Sequence, residues 1–391
     1  MKILVLGTGM QGRAALHDLS RSPEVKHVIA ADADVDRLTP FMRHLNREKV
    51  EVVAVDAENP AAVAELMRRV DAVIVLLPVK FHVPIARLAV ENGVHLVNSS
   101  YTPPEFHQIG REAAARGLTI LPEFGFDPGI DLVLAGQAMR ELDVVKEYYS
   151  YGTGLPEPSA ANNPLRYKIT WTFDGVLKAY QRDARVIQNG KVVVIPGREM
   201  FAPKNIHVLD VEGYGPMEAY PNGDVVEFLD RMGVTATVHN AGRYATRWPG
   251  HCAYWYVMSQ LGFLDVKPIK VGEVSVSPRA FVGALLEPQL QYADHERDVA
   301  MVRVDVRGLK DEQGRRVVYD LTDVRDLDTG LMAMNRTVGY TASIGAQMIL
   351  RGDIVKRGLL SPLTDVPAEP FLEELRARGI VVRHREEVWS A

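Results

Sequence analysis

The chain has 391 residues, more than one core of ordinary size holds, so two domains are the natural expectation. Apolar residues make up 47% and the formal net charge is −5 with no basic block, which argues against nucleic acid or an anionic membrane as a partner. The single cysteine, Cys252, excludes intrachain disulfides and cysteine-based zinc sites and suits a reducing cytoplasm.

The amino-terminal MKILVLGTG has a charged Lys2 and early glycines in place of the long apolar core of a signal peptide. Apolar runs such as AVIVLLPV are too short to cross a bilayer. A cytoplasmic protein with no membrane partner is expected. From there strand-like and helix-like segments alternate. KILVL leads into a helix from about Gln11, VKHVIAAD into VDRLTPFMRHL, VEVVAVD into PAAVAELMRRV, and DAVIVLLP into PIARLAVENG. VHLVNSS leads into PPEFHQIGREAAARG and then LTIL. Short β-rich runs separated by periodic helices predict parallel strands with right-handed crossovers, a doubly wound α/β domain of Rossmann type.

From about residue 143 the runs are β-rich and joined by turn residues, which predicts a second, α+β domain. Asn189-Gly190 between two apolar runs signals a hairpin, and a second is expected around Asp311–Gly314. Helices are expected at about 251–263 and after Ser277-Pro278, where Ser caps and Pro takes the first helical position. The long run LMAMNRTVGYTASIGAQMIL carries small residues that permit close helix packing. The expected division is a dinucleotide-binding domain at 1–126, a substrate and oligomerisation domain at 127–330, and C-terminal helices at 331–391 returning to the first domain.

Gly7-Thr8-Gly9-Met10-Gln11-Gly12 follows the first strand and opens the first helix. Gly7 permits the tight turn, Gly9 lets a pyrophosphate approach the backbone, and Gly12 allows close helix–strand packing. Met10 and Gln11 lie at the helix N-terminus where the phosphates sit. Asp32, ending the second strand, is placed to accept from a ribose 2′-OH, which favours NAD; Arg13 and Arg37 leave NADP open. Asp56, ending the third strand, either borders the adenine or is an exposed strand-end acid. Leu77 and Pro78 are expected beside the nicotinamide ribose, because ligands bind outside the carboxyl ends of such strands.

The same rule brings NSSYTPP and PEFGFDPG to that crevice. Hydride transfer to a nicotinamide needs a carbon bearing an amine or an alcohol, and usually a base for its proton; Tyr101, Glu123 and Asp127 are the candidates. Each has a plainer reading. Thr102-Pro103-Pro104-Glu105 reads as a capping box, which makes Tyr101 a packed aromatic ahead of a helix. Asp127-Pro128 reads as an N-cap followed by a first helical residue, a role compatible with binding a substrate ammonium. In the second domain Arg247 and His251 of ATRWPGH, and Lys168 of NPLRYKITW, either hold a substrate carboxylate or are surface charges. Cys252 reads as a buried structural thiol. No GxSxG elbow or HExxH signature occurs, and no metal is expected.

VNSSYTPPEF, EFGFDPGIDLVLAGQ, YGTGLPEPSAANNPLRYKITWTFDGVL and the glycine-rich turn resemble the saccharopine dehydrogenase family. ATRWPGH, RAFVGALLEPQL, AMNRTVGYTASIGAQMILRGDIVKRGLL and FLEELRARGIVV are similar to lysine 6-dehydrogenases of the same fold. The resemblance implies an NAD(P)-dependent enzyme oxidising the C–N bond of a lysine-type amino acid, with Tyr101 and Asp127 lining the active site. Gly152 stands where the family carries a cysteine, and Leu132 where a histidine often follows DPGID. The preferred expectation is lysine 6-dehydrogenase, with saccharopine dehydrogenase, a carboxynorspermidine-type dehydrogenase and a non-catalytic NAD(H) sensor as alternatives. A homodimer built through a sheet is expected.

Overall fold

The computed structural model describes residues 1–389. The chain forms two compact units, Met1–Gln137 with Met334–Val382, and Ala138–Ala333 with Arg383–Ala391.

In the first unit, β1 (Lys2–Leu6), β2 (His27–Asp32), β3 (Val50–Ala54), β4 (Ala72–Val75), β5 (His95–Asn98) and β6 (Thr119–Leu121) are all parallel. They alternate with α1 (Met10–Arg21), α2 (Pro60–Met67), α3 (His82–Glu91) and α4 (Phe106–Ala115), and α5 (Ile130–Arg140) follows β6. Strands such as AVIV of β4 are apolar throughout and wholly buried, as helices on both faces of a parallel sheet require. The order β6-β5-β4-β1-β2-β3 reverses direction between β1 and β4, which makes their carboxyl ends the switch point where such sheets bind ligands. This is the doubly wound, Rossmann-type arrangement. One expected helix differs: Val35–His44 is a 3₁₀ helix, with Pro40 inside it unable to donate a backbone N–H.

In the second unit, β7 (Val144–Pro156) is followed by α6 (Phe173–Ala179), β8 (Ala184–Gln188) and β9 (Lys191–Ile195). Next come β10 (His207–Val211), β11 (Gly215–Pro221), α7 (Val226–Met232), β12 (Asn240–Arg247) and α8 (His251–Gln260). A separate ribbon of β13 (Ile269–Val271) and β14 (Val274–Val276) precedes α9 (Pro278–Leu286) and the long strands β15 (Asp298–Lys310) and β16 (Gln313–Val324). The mixed sheet runs β10-β11-β12-β7-β15-β16, with β8 and β9 branching from β12; β12 and β7 pair in parallel and the other ladders are antiparallel. Turn chemistry explains both hairpins. Asn189 and Gly190 have φ of 50° and 73°, and Asp311 and Glu312 have φ of 50° and 62°, the left-handed values a two-residue turn demands. Ser277 caps α9, accepting from the Ala280 N–H at 3.4 Å.

The chain then enters α10 (Ala333–Arg351), β17 (Gly358–Leu359), α11 (Pro362–Asp365), α12 (Ala368–Ala377) and β18 (Val382–Trp389). β17 pairs in parallel with β6, and β18 joins β16. α10 lies against α1 so closely that a Cβ on Gly339 would stand 2.4 Å from the Gln11 carbonyl oxygen. Half-buried Asp18 of α1 fixes this packing, accepting from Ser343 Oγ at 2.6 Å and Arg378 Nε at 2.6 Å.

Candidate cofactor cradle and a buried cation cluster

The turn between β1 and α1 needs its glycines for separate reasons. Gly7 has φ of 96°, and a Cβ there would press within 2.6 Å of the Leu76 carbonyl oxygen. A Cβ on Gly12 would lie 1.9 Å from the Gly7 carbonyl oxygen, so only glycine lets α1 sit this close to the turn. Gly9 is the N-cap of α1, offers no side-chain cap, and has nothing within 4 Å of a built Cβ. The first N–H groups of α1, from Met10 and Gln11, are therefore presented without a capping side chain, and space lies over Gly9. That combination fits a dinucleotide pyrophosphate. Two substitutions separate support from contact. Gly12→Ala should fail to accumulate as folded protein. Gly9→Ala should keep the wild-type melting temperature while weakening nucleotide binding about tenfold or more, since its methyl fills the space a pyrophosphate takes. Nucleotide titration followed by intrinsic fluorescence measures this; unchanged affinity would remove the phosphate from this turn.

At the end of β2, the Asp32 carboxylate braces the turn. Oδ2 accepts from the Thr8 backbone N–H at 2.6 Å and its hydroxyl at 3.3 Å, and Oδ1 accepts from the Asp34 N–H. Arg13 donates to the Arg37 carbonyl, and burial together with the neighbouring Arg37 charge lowers its pKa. Arg37 is paired with Asp34 at 2.7 Å. Asp56 is exposed, and its carboxylate accepts from the Glu58 N–H, turning the chain toward α2. Leu77 is half-buried and Pro78 exposed after β4; His82 holds the Leu77 carbonyl at 2.8 Å, and burial pushes its imidazole toward the neutral form.

The loops after β5 and β6 are laced together. Glu123 is buried with φ of 59°; its N–H donates to the Ser100 carbonyl, and its carboxylate accepts from the Thr102 N–H at 3.2 Å. Phe124 N–H donates to the Asn98 carbonyl at 2.9 Å. These bonds set the segment of Tyr101, which is exposed, beside the turn that holds half-buried Asp127. Two expectations for local structure are corrected. The capping box at Thr102–Glu105 does not form: α4 starts at Phe106 with Glu105 as its N-cap and no side-chain cap, because Glu123 has taken the Thr102 N–H. Nor does Asp127 stand at the N-cap of α5. Asp127 and Pro128, joined by a cis peptide, occupy a tight turn closed by the Gly125–Gly129 bridge, and α5 begins at Ile130. Asp131 serves the helix start instead, accepting from the Gly129 N–H at 2.8 Å.

The second unit buries all three expected cations, so none is a surface charge: Lys168, Arg247 and His251 are 5%, 7% and 2% exposed. Their surroundings differ. Lys168 is committed within the chain, donating to both oxygens of buried Glu296 at 2.6 and 2.5 Å. The Glu296 carboxylate also accepts from Asn162 Nδ2 and the Ala293 N–H. Arg247 is different. Its Nη1 donates to Thr153 Oγ1 at 3.0 Å and to the Thr246 carbonyl at 2.7 Å, and its Nε is buried without a partner. It lies over the rings of Tyr167 and Tyr220 at 5.2 and 5.8 Å. Burial pushes the Tyr167, Tyr180 and Tyr220 hydroxyls up, so they are neutral and supply no counter-charge. Among the described residues, no hydrogen-bond partner of Arg247 is an anion. His251 Nε2 is 2.8 Å from the Tyr180 hydroxyl, and burial followed by the Arg247 charge holds it well below its ordinary pKa, hence neutral. Cys252 is buried, its thiol pushed up by burial and by Glu218, which rules out a reactive thiolate.

The tyrosine ring around Arg247 and the Glu296 partner of Lys168 were not expected from sequence. Tyr167 adjoins Lys168 in a quoted motif, but Tyr180, Tyr220 and Glu296 come from distant segments with no local signal. Among the described residues, the group with metal-ligand spacing is Glu141, His384 and Glu386; Glu141 already accepts from the Tyr319 hydroxyl at 2.6 Å, and His384 stacks on that ring. No described helix is long and apolar enough to cross a membrane.

Comparison with known proteins places this geometry in context. Residues 3–121 match the model of the saccharopine dehydrogenase NADP binding domain, and residues 125–380 match that of the saccharopine dehydrogenase C-terminal domain. The α-aminoadipic semialdehyde synthase of Arabidopsis thaliana is 27% identical over 86% of the chain and 39% of its own length. The chain thus spans less than half of that longer relative. The saccharopine dehydrogenase [NADP(+), L-glutamate-forming] of Schizosaccharomyces pombe is 25% identical over 99% of the chain and 98% of its length. Among solved structures, apo saccharopine dehydrogenase (L-Glu forming) from Saccharomyces cerevisiae superposes with a TM-score of 0.86 at 23% identity, covering 99% of both chains. With both family models matched in order along nearly all of its length, the chain belongs to the saccharopine dehydrogenase family.

Proposed function

We propose that the chain is an NAD(P)-dependent oxidoreductase of lysine metabolism that oxidises the secondary amine of saccharopine, releasing L-glutamate and α-aminoadipic semialdehyde. The observation that carries this reading is Arg247, a buried guanidinium ringed by neutral phenols and paired with no internal acid. A permanent charge kept in that state is suited to a ligand carboxylate, and saccharopine carries several. The end-to-end relative named for saccharopine supports the same substrate, so this reading replaces the expected lysine 6-dehydrogenase. Lys168 is not retained as a carboxylate anchor, because Glu296 neutralises it. His251 is retained as a neutral neighbour that orients Tyr180.

A bound nicotinamide would supply the hydride acceptor for the lysine-derived carbon next to nitrogen. Gly9, Met10 and Gln11 would hold the pyrophosphate on a turn that Gly7 and Gly12 shape, with Asp32 at the ribose and Leu77 and Pro78 at the nicotinamide end. NAD is the proposed preference, since acids at Asp32 and Asp34 flank the ribose position and Arg37 is already engaged by Asp34. Asp127 receives the amine proton, directly or through water, with Tyr101 beside it and Glu123 fixing the two loops. Water then adds to the substrate imine, and the C–N bond breaks to give aldehyde and glutamate. Self-association of two copies is part of the proposal.

The test offers NAD or NADP with saccharopine, with lysine, or with neither, and reads reduced nicotinamide together with released glutamate or ammonia. Reduction with saccharopine and release of glutamate are expected, at lower concentrations of NAD than of NADP. Ammonia released from lysine would sink the saccharopine reading, and nucleotide binding with no reduction on any amine would indicate a sensor. Arg247→Lys should raise KM for saccharopine by roughly two orders of magnitude with a smaller change in kcat, the loss of one buried charge-assisted contact. An unchanged KM would release Arg247 from substrate binding.

A further inference from the structure

Backbone conformation singles out one cation of the second unit. Asn189, Asp311 and Glu312 take left-handed φ in hairpin turns, and Glu123 takes it in the laced loops. Arg166 takes it too, with φ of 47°, where asparagine or glycine would stand at less cost. Its turn is tied by Asn163, whose Oδ1 accepts from the Leu165 and Tyr167 N–H groups at 3.1 and 3.3 Å. Asn163 Nδ2 donates to the Tyr167 carbonyl at 2.7 Å, and the Arg166 N–H donates to the Asn163 carbonyl at 2.9 Å. The turn sends consecutive side chains different ways: Tyr167 is buried and Arg166 is exposed. Arg166 lies over the Trp248 ring at 5.2 Å, and Arg247 lies over the Tyr167 ring at 5.2 Å. Residues 166 and 167 of the turn thus meet residues 247 and 248 in two crossed cation–aromatic contacts. Trp248 is fixed in turn, its Nε1 donating to the Pro156 carbonyl at 3.0 Å.

We infer that Arg166 is a second carboxylate clamp, selecting substrates whose departing amino acid carries two carboxylates. The inference rests on the saccharopine reading. A guanidinium stacked on a ring keeps its in-plane N–H donors for a ligand, and among the described residues no acid pairs with Arg166. The crossed contacts seat it on residues adjoining those that seat Arg247. With one carboxylate of the glutamate half of saccharopine on Arg247, the other lies a few bonds away and meets the neighbouring guanidinium. Lysine lacks that half altogether. An arginine on backbone that disfavours it, held there by a four-bond turn, is the kind of strain that collects at ligand clamps.

Two probes are titrated calorimetrically into the full chain with NADH present, which prevents oxidation: saccharopine, and carboxyethyl-lysine, in which an alanine half replaces the glutamate half and one carboxylate is missing. Wild type should bind saccharopine about tenfold or more tightly than carboxyethyl-lysine, the worth of one charge-assisted contact. Arg166→Asn should lose that preference, binding saccharopine about tenfold more weakly while its affinity for carboxyethyl-lysine changes far less. In turnover with NAD, its KM for saccharopine should rise by about the same factor with a smaller change in kcat. Its melting temperature should equal or exceed that of wild type, because asparagine suits left-handed backbone. A variant that keeps the preference, one that loses both probes alike, or a wild type that binds the two equally would each overturn the clamp, even in an enzyme that oxidises saccharopine. A wild type that shows the Arg166-dependent preference without oxidising saccharopine would uphold the clamp and defeat the proposed reaction.

Discussion

Lys168→Met should destabilise the second unit by about 3–5 kcal/mol, because it strands a carboxylate that folding has already taken out of water. Lys168 and Glu296 are both nearly enclosed, and Lys168 supplies two of the contacts on the Glu296 oxygens. The remaining donors, Asn162 Nδ2 and the Ala293 N–H, are neutral and leave the charge uncompensated. Lys168→Met/Glu296→Gln should recover most of the loss, since a neutral amide can keep an acceptor for Asn162. The pH dependence has a definite sign. Burial raises the Glu296 pKa, but the hydrogen bond from Lys168 and the other donors outweigh it and hold the carboxyl below its ordinary 4.5. A depressed carboxyl contributes stability that is present above the unfolded-state value and lost as pH falls through the folded value. In Lys168→Met the depression is gone, so the gap to wild type should be full at pH 7 and narrow as the medium is acidified toward pH 4. Urea unfolding at both pH values reads this directly. A gap below about 1 kcal/mol at pH 7 would show that the pair is replaceable by packing alone.

That pair also marks where sequence reading stops. Strands β1 to β6 were legible because a parallel sheet buries both faces, and apolar runs of that length between periodic helices have few other uses. Both hairpins were legible from two-residue turns that need left-handed φ, such as Asn189-Gly190. The glycine-rich turn was legible because its spacing answers three separate steric demands, which the contacts of Gly7 and Gly12 bear out. Side-chain partners were not. Glu296 lies 128 residues from Lys168, and the same Lys in the same motif reads equally well as a substrate clamp. Capping failed for a related reason. Asp127-Pro128 and Thr102–Glu105 have the right composition for helix starts, but Asp131 and Glu123 reach those backbone donors first, and competition between nearby acids is settled by geometry that a local pattern does not contain.

The correction at Asp127 makes its substitution more informative. Had Asp127 capped α5, Asp127→Asn would mix a stability change with any chemical one. Asp131 receives the Gly129 N–H at the start of α5, so that donor is not left to the Asp127 carboxylate. Asparagine has the same shape and fits the same turn between Gly125 and Gly129. Asp127→Asn should therefore melt within a few degrees of wild type and bind nucleotide with unchanged affinity. Its kcat on saccharopine should nevertheless fall by about 10²–10⁴, the usual contribution of a positioned acid–base group, because an amide cannot receive the amine proton. Tyr101→Phe separates the two candidates on the laced loops. If Asp127 takes the proton, the tyrosine variant keeps most of its turnover and loses mainly substrate affinity. If Tyr101 takes it, the losses exchange places. Raising the pH, which removes the amine proton in solution, should rescue Asp127→Asn more than wild type, and a merely structural role at this turn would give no such rescue. Wild-type turnover in Asp127→Asn would leave the residue as a turn-former and move the proton transfer to another group.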